Sequence, residues 1–221
     1  MSMSLRVVVP PHPLIGHWLT LLRDRRTPSP LFATSLAELG RWLSYEACRD
    51  WLPHRRLSIE TPNAVTEGTI VDPDVGLLAI PLLRQGLGLW QGAQTVLPAA
   101  AVAHAVLRSI PESDTLALEG LPDLIDERVG VIVFDPVIGS GRRLITVLEA
   151  LERRGVVGER LRVITALAAS PGLKALGERF PQLTLYAACI DPELDSANRP
   201  LPGLGDVEAR LFGSLEPNCL G

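Results

Sequence analysis

Cysteine is scarce in this chain and widely scattered. Cys48, Cys189 and Cys219 are an odd number with no C-x-x-C spacing, which argues against a disulfide framework and offers no zinc pattern. A reduced, cytoplasmic setting is the expectation. No apolar run reaches membrane-spanning length, and Met1 to Pro10 lacks the features of a signal peptide, so a soluble protein without membrane attachment is expected. Nor does one sign of charge dominate: 21 Lys and Arg stand against 25 Asp and Glu, a net −4. That balance argues against a nucleic-acid binder and confines any basic patch to a local site. Two phosphate fingerprints, G-x-G-x-x-G and G-x-x-x-x-G-K-[ST], are missing, and there is no internal repeat. At 221 residues, 47% of them hydrophobic, the chain can bury a full core as a single domain over residues 1–221.

What is present is organised around residues 129–143. The run Val129 to Phe134 is short and β-branched, as expected of a strand covered on both faces of a parallel sheet. Asp135 and Pro136 follow, then Gly139-Ser140-Gly141, where glycine permits φ > 0 and Ser140 offers a hydroxyl at a natural N-cap position. Leu144, Leu148 and Leu151 then recur at helical spacing. Such a junction converges free N–H groups and the positive end of a helix dipole on one small volume, which suits a phosphate. A plain βα turn without a ligand accounts for Gly-Ser-Gly equally well. Asp135 adds a further reading, because a carboxylate just ahead of a phosphate turn is placed to accept hydrogen bonds from sugar hydroxyls. The ligand would then be a phosphorylated ribose.

In chain order, Leu5 to Val9 reads as a strand stopped by prolines. His12 to Leu22 reads as a helix with Trp18 on its apolar side, and Arg23-Asp24-Arg25-Arg26 as its solvated end. Leu36, Leu39, Trp42, Leu43 and Ala47 mark an amphipathic helix from Ser35 to Trp51. Residues of about 53–75 lose the helical period and form a peripheral β element. Gly76 to Pro81 is a buried strand leading into Leu82-Leu83-Arg84-Gln85-Gly86-Leu87-Gly88, and Ala99 to Leu107 an apolar strand ending at Arg108. On strands of one parallel sheet, Arg84 and Arg108 face the same crevice. The stretch of about 109–127 reads as a flexible arm closing over it. Leu161 to Ala168, Pro171 to Phe180 and Leu183 to Ala188 alternate strand, helix, strand. The alternation predicts an α/β fold, a doubly wound mostly parallel sheet flanked by helices. The Pro- and Gly-rich tail of about 190–213, with Leu201, Leu204, Leu211 and Phe212 as anchors, predicts a small ordered C-terminal cap.

Assembled, these pieces resemble the uracil phosphoribosyltransferase family, from His12-Pro13-Leu14 to Phe212-Gly213. The resemblance is carried by Leu19 to Asp24, Tyr45-Glu46-Ala47, Pro81 to Gly88, Ile125 to Arg128, Asp135-Pro136 with its Gly-rich turn, and Pro202-Gly203-Leu204-Gly205-Asp206. It implies that uracil displaces diphosphate from C1 of phosphoribosyl diphosphate, giving UMP. On that reading Asp135, Pro136, Val137, Ile138, Gly139, Ser140, Gly141, Arg142 and Arg143 hold the phosphoribosyl group, with Asp135 on the ribose hydroxyls. Arg84 and Arg108 neutralise the diphosphate. Asp206 stands near the ribosyl and base sites and acts in catalysis with Asp135 and Arg84. Main-chain groups around Pro200, Gly205, Asp206 and Val207 read uracil. Mg²⁺ is implied as the cofactor, carried mainly by the diphosphate, with no protein ligand set assigned. A homodimer or higher homo-oligomer, and GTP as an effector, are implied as well.

The chain departs from the family pattern in two places. Gly139-Ser140-Gly141-Arg142-Arg143 stands where Ala-Thr-Gly-Gly-Ser/Thr is usual, so an arginine replaces a glycine beside the phosphate. In the cap, Arg199-Pro200 stands for Tyr-Ile and Val207-Glu208-Ala209 for Ala-Gly-Asp. Arginine can bind phosphate through a charged fork, whereas proline has lost its N–H donor. The alternative reading is therefore a non-catalytic or regulatory homologue that binds a phosphoribosyl or nucleotide ligand, or a transferase for a different base.

Overall fold

Alternation of apolar side chains decides how the central sheet is covered. The computed structural model describes the backbone of residues 5–110 and 113–213 and the side chains of residues 5–107 and 117–213. The chain begins β1 (Arg6–Val8), α1 (Pro13–Arg23), α2 (Ser29–Cys48), β2 (His54–Glu60), β3 (Val65–Val71), β4 (Leu77–Leu83), α3 (Gly86–Ala93), β5 (Ala101–Val102), β6 (His104–Ile110) and β7 (Ser113–Glu119). It continues β8 (Gly130–Phe134), β9 (Val137–Ile138), α4 (Arg142–Glu152), β10 (Leu161–Ala169), α5 (Ser170–Arg179), β11 (Thr184–Asp191), β12 (Glu193–Leu194), β13 (Pro200–Leu201) and α6 (Val207–Phe212). The main sheet has the order β1-β11-β10-β8-β4-β6-β7, parallel throughout except for β6 with β7.

In β8, Ile132 and Phe134 enter one core cluster, while Val131 and Val133 enter the other. A period of two on a strand buried on both faces requires this division. Helices α1, α2, α3 and α6 cover the first face with residues such as Ile15, Leu36, Leu89 and Val207. The second face is covered by α4 and α5 with Leu144, Val147, Leu148 and Leu176. Ser29-Pro30 starts α2 ahead of the amphipathic pattern, because proline in the first turn is pre-set for helix and gives up no internal hydrogen bond there.

The crossovers β8-α4-β10 and β10-α5-β11 build the sheet in one direction, and β4-α3-β6 builds it in the other. The direction reverses between β4 and β8, and open sheets bind ligands at the carboxyl ends of strands at such a point. Arg84 follows β4 and Asp135 follows β8, so the fold brings both to that end.

Within the stretch of 109–127, read from the sequence as a flexible arm, residues 109–110 end β6 and residues 113–119 form β7, paired antiparallel to β6 from His104↔Glu119 to Ile110↔Ser113. The alternation of Leu116 and Leu118 carried this strand, and the polar residues just before it obscured the period. Strands β2 and β3 form a separate two-stranded hairpin, and the tail folds as a cap from β12, β13 and α6. Among the described residues no helix is long and apolar enough to cross a membrane.

Candidate active site

Burial singles out Asp135. It lies where the sheet is covered from both sides, 2% exposed, and its Oδ1 has no hydrogen-bond partner among the described residues. Loss of water pushes its pKa up to about 6, against the pull of the Arg143 charge and of a hydrogen bond from the Val137 backbone. An ionised carboxylate only accepts hydrogen bonds, so this oxygen calls for donors from a ligand.

The turn beyond it is a strand end, β9, running into α4. Gly141, at φ 80°, is the N-cap of α4 and makes no side-chain capping bond. The capping position expected at Ser140 thus falls one residue later, because the chain must enter the left-handed region there and glycine has no Cβ to clash. Ser140 is exposed at the cleft instead. Gly141 brings no side chain to the start of α4, and the start of a helix favours an anion. The turn is held on both sides: a Cβ on Gly139 would stand 2.5 Å from the Asn198 carbonyl oxygen, and one on Gly172 would collide with the carbonyl of Gly139. Pro136 does not line the cleft as the resemblance implied. It is buried, and its carbonyl accepts from the N–H groups of Ala166 and Leu167, both at 3.1 Å, tying the turn to β10.

Between this turn and the cap lies a cleft of about 570 Å³. It brings together Asp135, Val137, Ile138, Gly139, Ser140, Gly141, Arg142 and Arg143 on one side with Pro200, Gly205, Asp206 and Val207 on the other. Asp206 is also the N-cap of α6, accepting from the Ala209 N–H at 3.0 Å. Arg84 stands at the margin beside Gln85, where its Nε donates to Glu208 Oε1 at 2.8 Å, its Nη2 donates to the same oxygen, and its guanidinium lies 5.4 Å over the Phe212 ring. Arg108 is on β6, the parallel neighbour of β4, and its side chain falls outside the described residues.

Sequence reasoning missed several lining residues, Gln85, Asp195 and Asn198 among them. Asp195 accepts from the N–H groups of Ala197 and Arg199 and from Arg199 Nε, each at 2.8 Å, and these bonds hold its carboxyl below the usual range. An Asp opening a short polar segment is an Asx-turn signal that could have found this rim.

The cap is clamped onto α1, which corrects the reading of Arg23 as part of a solvated helix end. Arg23 donates to both carboxylate oxygens of buried Asp191, at 2.5 and 3.3 Å, and to the Gly203 carbonyl at 3.1 Å. The Gly203 N–H in turn donates to Asp191 Oδ2 at 2.8 Å. From the other side Arg210 of α6 donates to the carbonyls of Leu22 at 2.5 Å and Asp24 at 2.7 Å, satisfying acceptors that a helix end leaves open. The charge run divides because Arg23 is the last helical residue, facing the cap, whereas the Asp24–Arg26 pair lies past the helix end and is far more exposed.

Comparison with known proteins gives a consistent result. The family described as uracil phosphoribosyltransferase matches residues 9–214. The uracil phosphoribosyltransferase of Synechococcus elongatus is 44% identical over 216 residues, covering 97% of this chain and 100% of the relative. That of a Nostoc species is 41% identical over 218 residues, with 97% and 100% coverage. Among solved structures, the AQ2163 protein from Aquifex aeolicus superposes with a TM-score of 0.83 at 27% identity, over 95% of this chain and 100% of that one.

Proposed function

The chain belongs to the uracil phosphoribosyltransferase family, and from that premise we propose that it transfers phosphoribose from phosphoribosyl diphosphate to uracil, forming UMP and diphosphate. The observation that carries this reading is buried Asp135, its Oδ1 without a hydrogen-bond partner among the described residues, lining one cleft with the Gly-rich turn and the cap. Residues 137–143 hold the 5-phosphate through backbone N–H groups and Arg143, and Asp135 accepts from the ribose hydroxyls. As the bond from C1 to diphosphate lengthens, positive charge grows on the ribose and negative charge on the leaving group. Ionised Asp135 favours the first, and Arg84 with Arg108 the second, by electrostatic stabilisation of the charge that develops. Uracil N1 then bonds to C1 and releases its proton, with the ring held by main-chain groups around Pro200, Gly205, Asp206 and Val207.

We propose Mg²⁺ as an ion carried by substrate oxygens and water, beside a cleft whose carboxylates Asp195 and Asp206 already accept backbone N–H groups. When bound, it offsets the charge of the diphosphate. We further propose a cytoplasmic homo-oligomer with GTP as an effector.

A second reading is favoured by Arg142 and Arg143 opening α4 and by the buried Pro200, which has no N–H for a base. It is a phosphoribosyl or nucleotide sensor without turnover. Calorimetric titration with Mg²⁺ and phosphoribosyl diphosphate, followed by uracil and assay of released diphosphate, separates the two. Binding followed by release is the expected result. Binding without release would assign the sensor or a different base, and absence of binding would overturn both.

A further inference from the structure

The anion-binding edge of Arg84 is already occupied. Its Nε and Nη2 both donate to one oxygen of Glu208, a residue 124 positions away on α6, while its ring-facing side rests over Phe212. A guanidinium recognises carboxylate and phosphoryl oxygens through the same planar fork, so the two kinds of anion cannot hold that edge together. We propose that Glu208 is an internal counter-anion that competes with diphosphate for Arg84 and thereby sets the affinity for the phosphoribosyl donor. The inference rests on the transferase reading, in which Arg84 receives the diphosphate.

Exposure decides that this is competition rather than blockade. The side chains of Arg84 and Glu208 are 62% and 38% exposed, so water replaces either partner readily and the pair is weak. A diphosphate with several charged oxygens displaces a single carboxylate from such a contact, and the carboxylate returns as diphosphate leaves. Glu208 therefore weakens the binding of donor and of product diphosphate by the same small factor. Gln85 and Val207, the chain neighbours of Arg84 and Glu208, line the cleft, so the exchange takes place at its margin.

The test is titration of inorganic diphosphate, with Mg²⁺, into the wild-type protein, Glu208→Gln, Glu208→Ala, Arg84→Gln and the double variant Arg84→Gln/Glu208→Gln. Alanine removes the acceptor that glutamine retains, so the two Glu208 variants guard each other. Both are expected to bind diphosphate roughly two- to five-fold more tightly. The gain should vanish in the Arg84→Gln background. KM for phosphoribosyl diphosphate should fall by a similar factor while KM for uracil stays constant. Unchanged or weaker affinity would overturn the inference, the latter by making Glu208 an orienting partner of Arg84. An equal gain without Arg84 would overturn it too, by assigning the effect to net charge. Wild-type binding of phosphoribosyl diphosphate with no gain in the variants removes the inference alone, whereas no wild-type binding removes the transferase reading with it.

Discussion

Asp135 lowers the stability of the ligand-free protein. Burial pushes its carboxyl from an ordinary 3.8 to about 6. Between those pH values the folded state keeps a proton that the unfolded chain has released, so stability falls as pH rises from about 4 to about 6 and stays lower above it. The difference is worth about 3 kcal/mol. Asp135→Asn removes the ionisation and nearly keeps the shape. It should raise the urea-unfolding free energy by about that amount at pH 8 and by only about 1 kcal/mol at pH 4.5. The same gain at both pH values would show that ionisation is not the cause. On the ribose-binding role proposed for Asp135, turnover in this variant should drop about a hundred-fold or more, since its negative charge is lost. In the wild type, affinity for phosphoribosyl diphosphate should decline as pH falls below about 6, where Asp135 becomes protonated.

At the scale of elements, the cap is a short, turn-rich segment held in place by reciprocal arginines. Arg23 reaches from the end of α1 to Asp191 and Gly203, and Arg210 reaches from α6 back to the last carbonyls of α1, its guanidinium 4.1 Å over the Phe32 ring. Breaking a buried pair leaves the other charge uncompensated, and Asp191 is only 2% exposed. Arg23→Ala should therefore destabilise the fold by about 3 kcal/mol. Because the pair holds the cap rather than the phosphate turn, KM for uracil should rise more than KM for phosphoribosyl diphosphate. Steady-state kinetics with each substrate varied reads this directly, and a proportionate rise in both would show that Arg23 does not position the base site.

For the whole molecule, the β2–β3 hairpin stands apart from the main sheet and exposes Val65 at 69% and Val71 at 55%. An isolated two-stranded hairpin is marginal in water, so a second copy of the chain is its expected partner. Light scattering should give at least twice the 23.9 kDa of one chain, falling on Val65→Asp. A single-chain mass for the wild type would refute the assembly. The sequence by itself determined the layers: the period of two in Val131 to Phe134 and the helical period of Leu144, Leu148 and Leu151 are local, and burial acts on each side chain according to its own place in the period. Asp135 and the glycine turn were legible for the same reason, since strand, turn and helix lie within a few residues of one another. Only the tertiary structure decided that Arg23 clamps Asp191, 168 residues away, that Glu208 occupies Arg84, and that Pro136 serves β10 rather than the cleft. Such pairings depend on which distant elements the sheet order makes neighbours, and charge alone does not choose among the carboxylates a given arginine could meet.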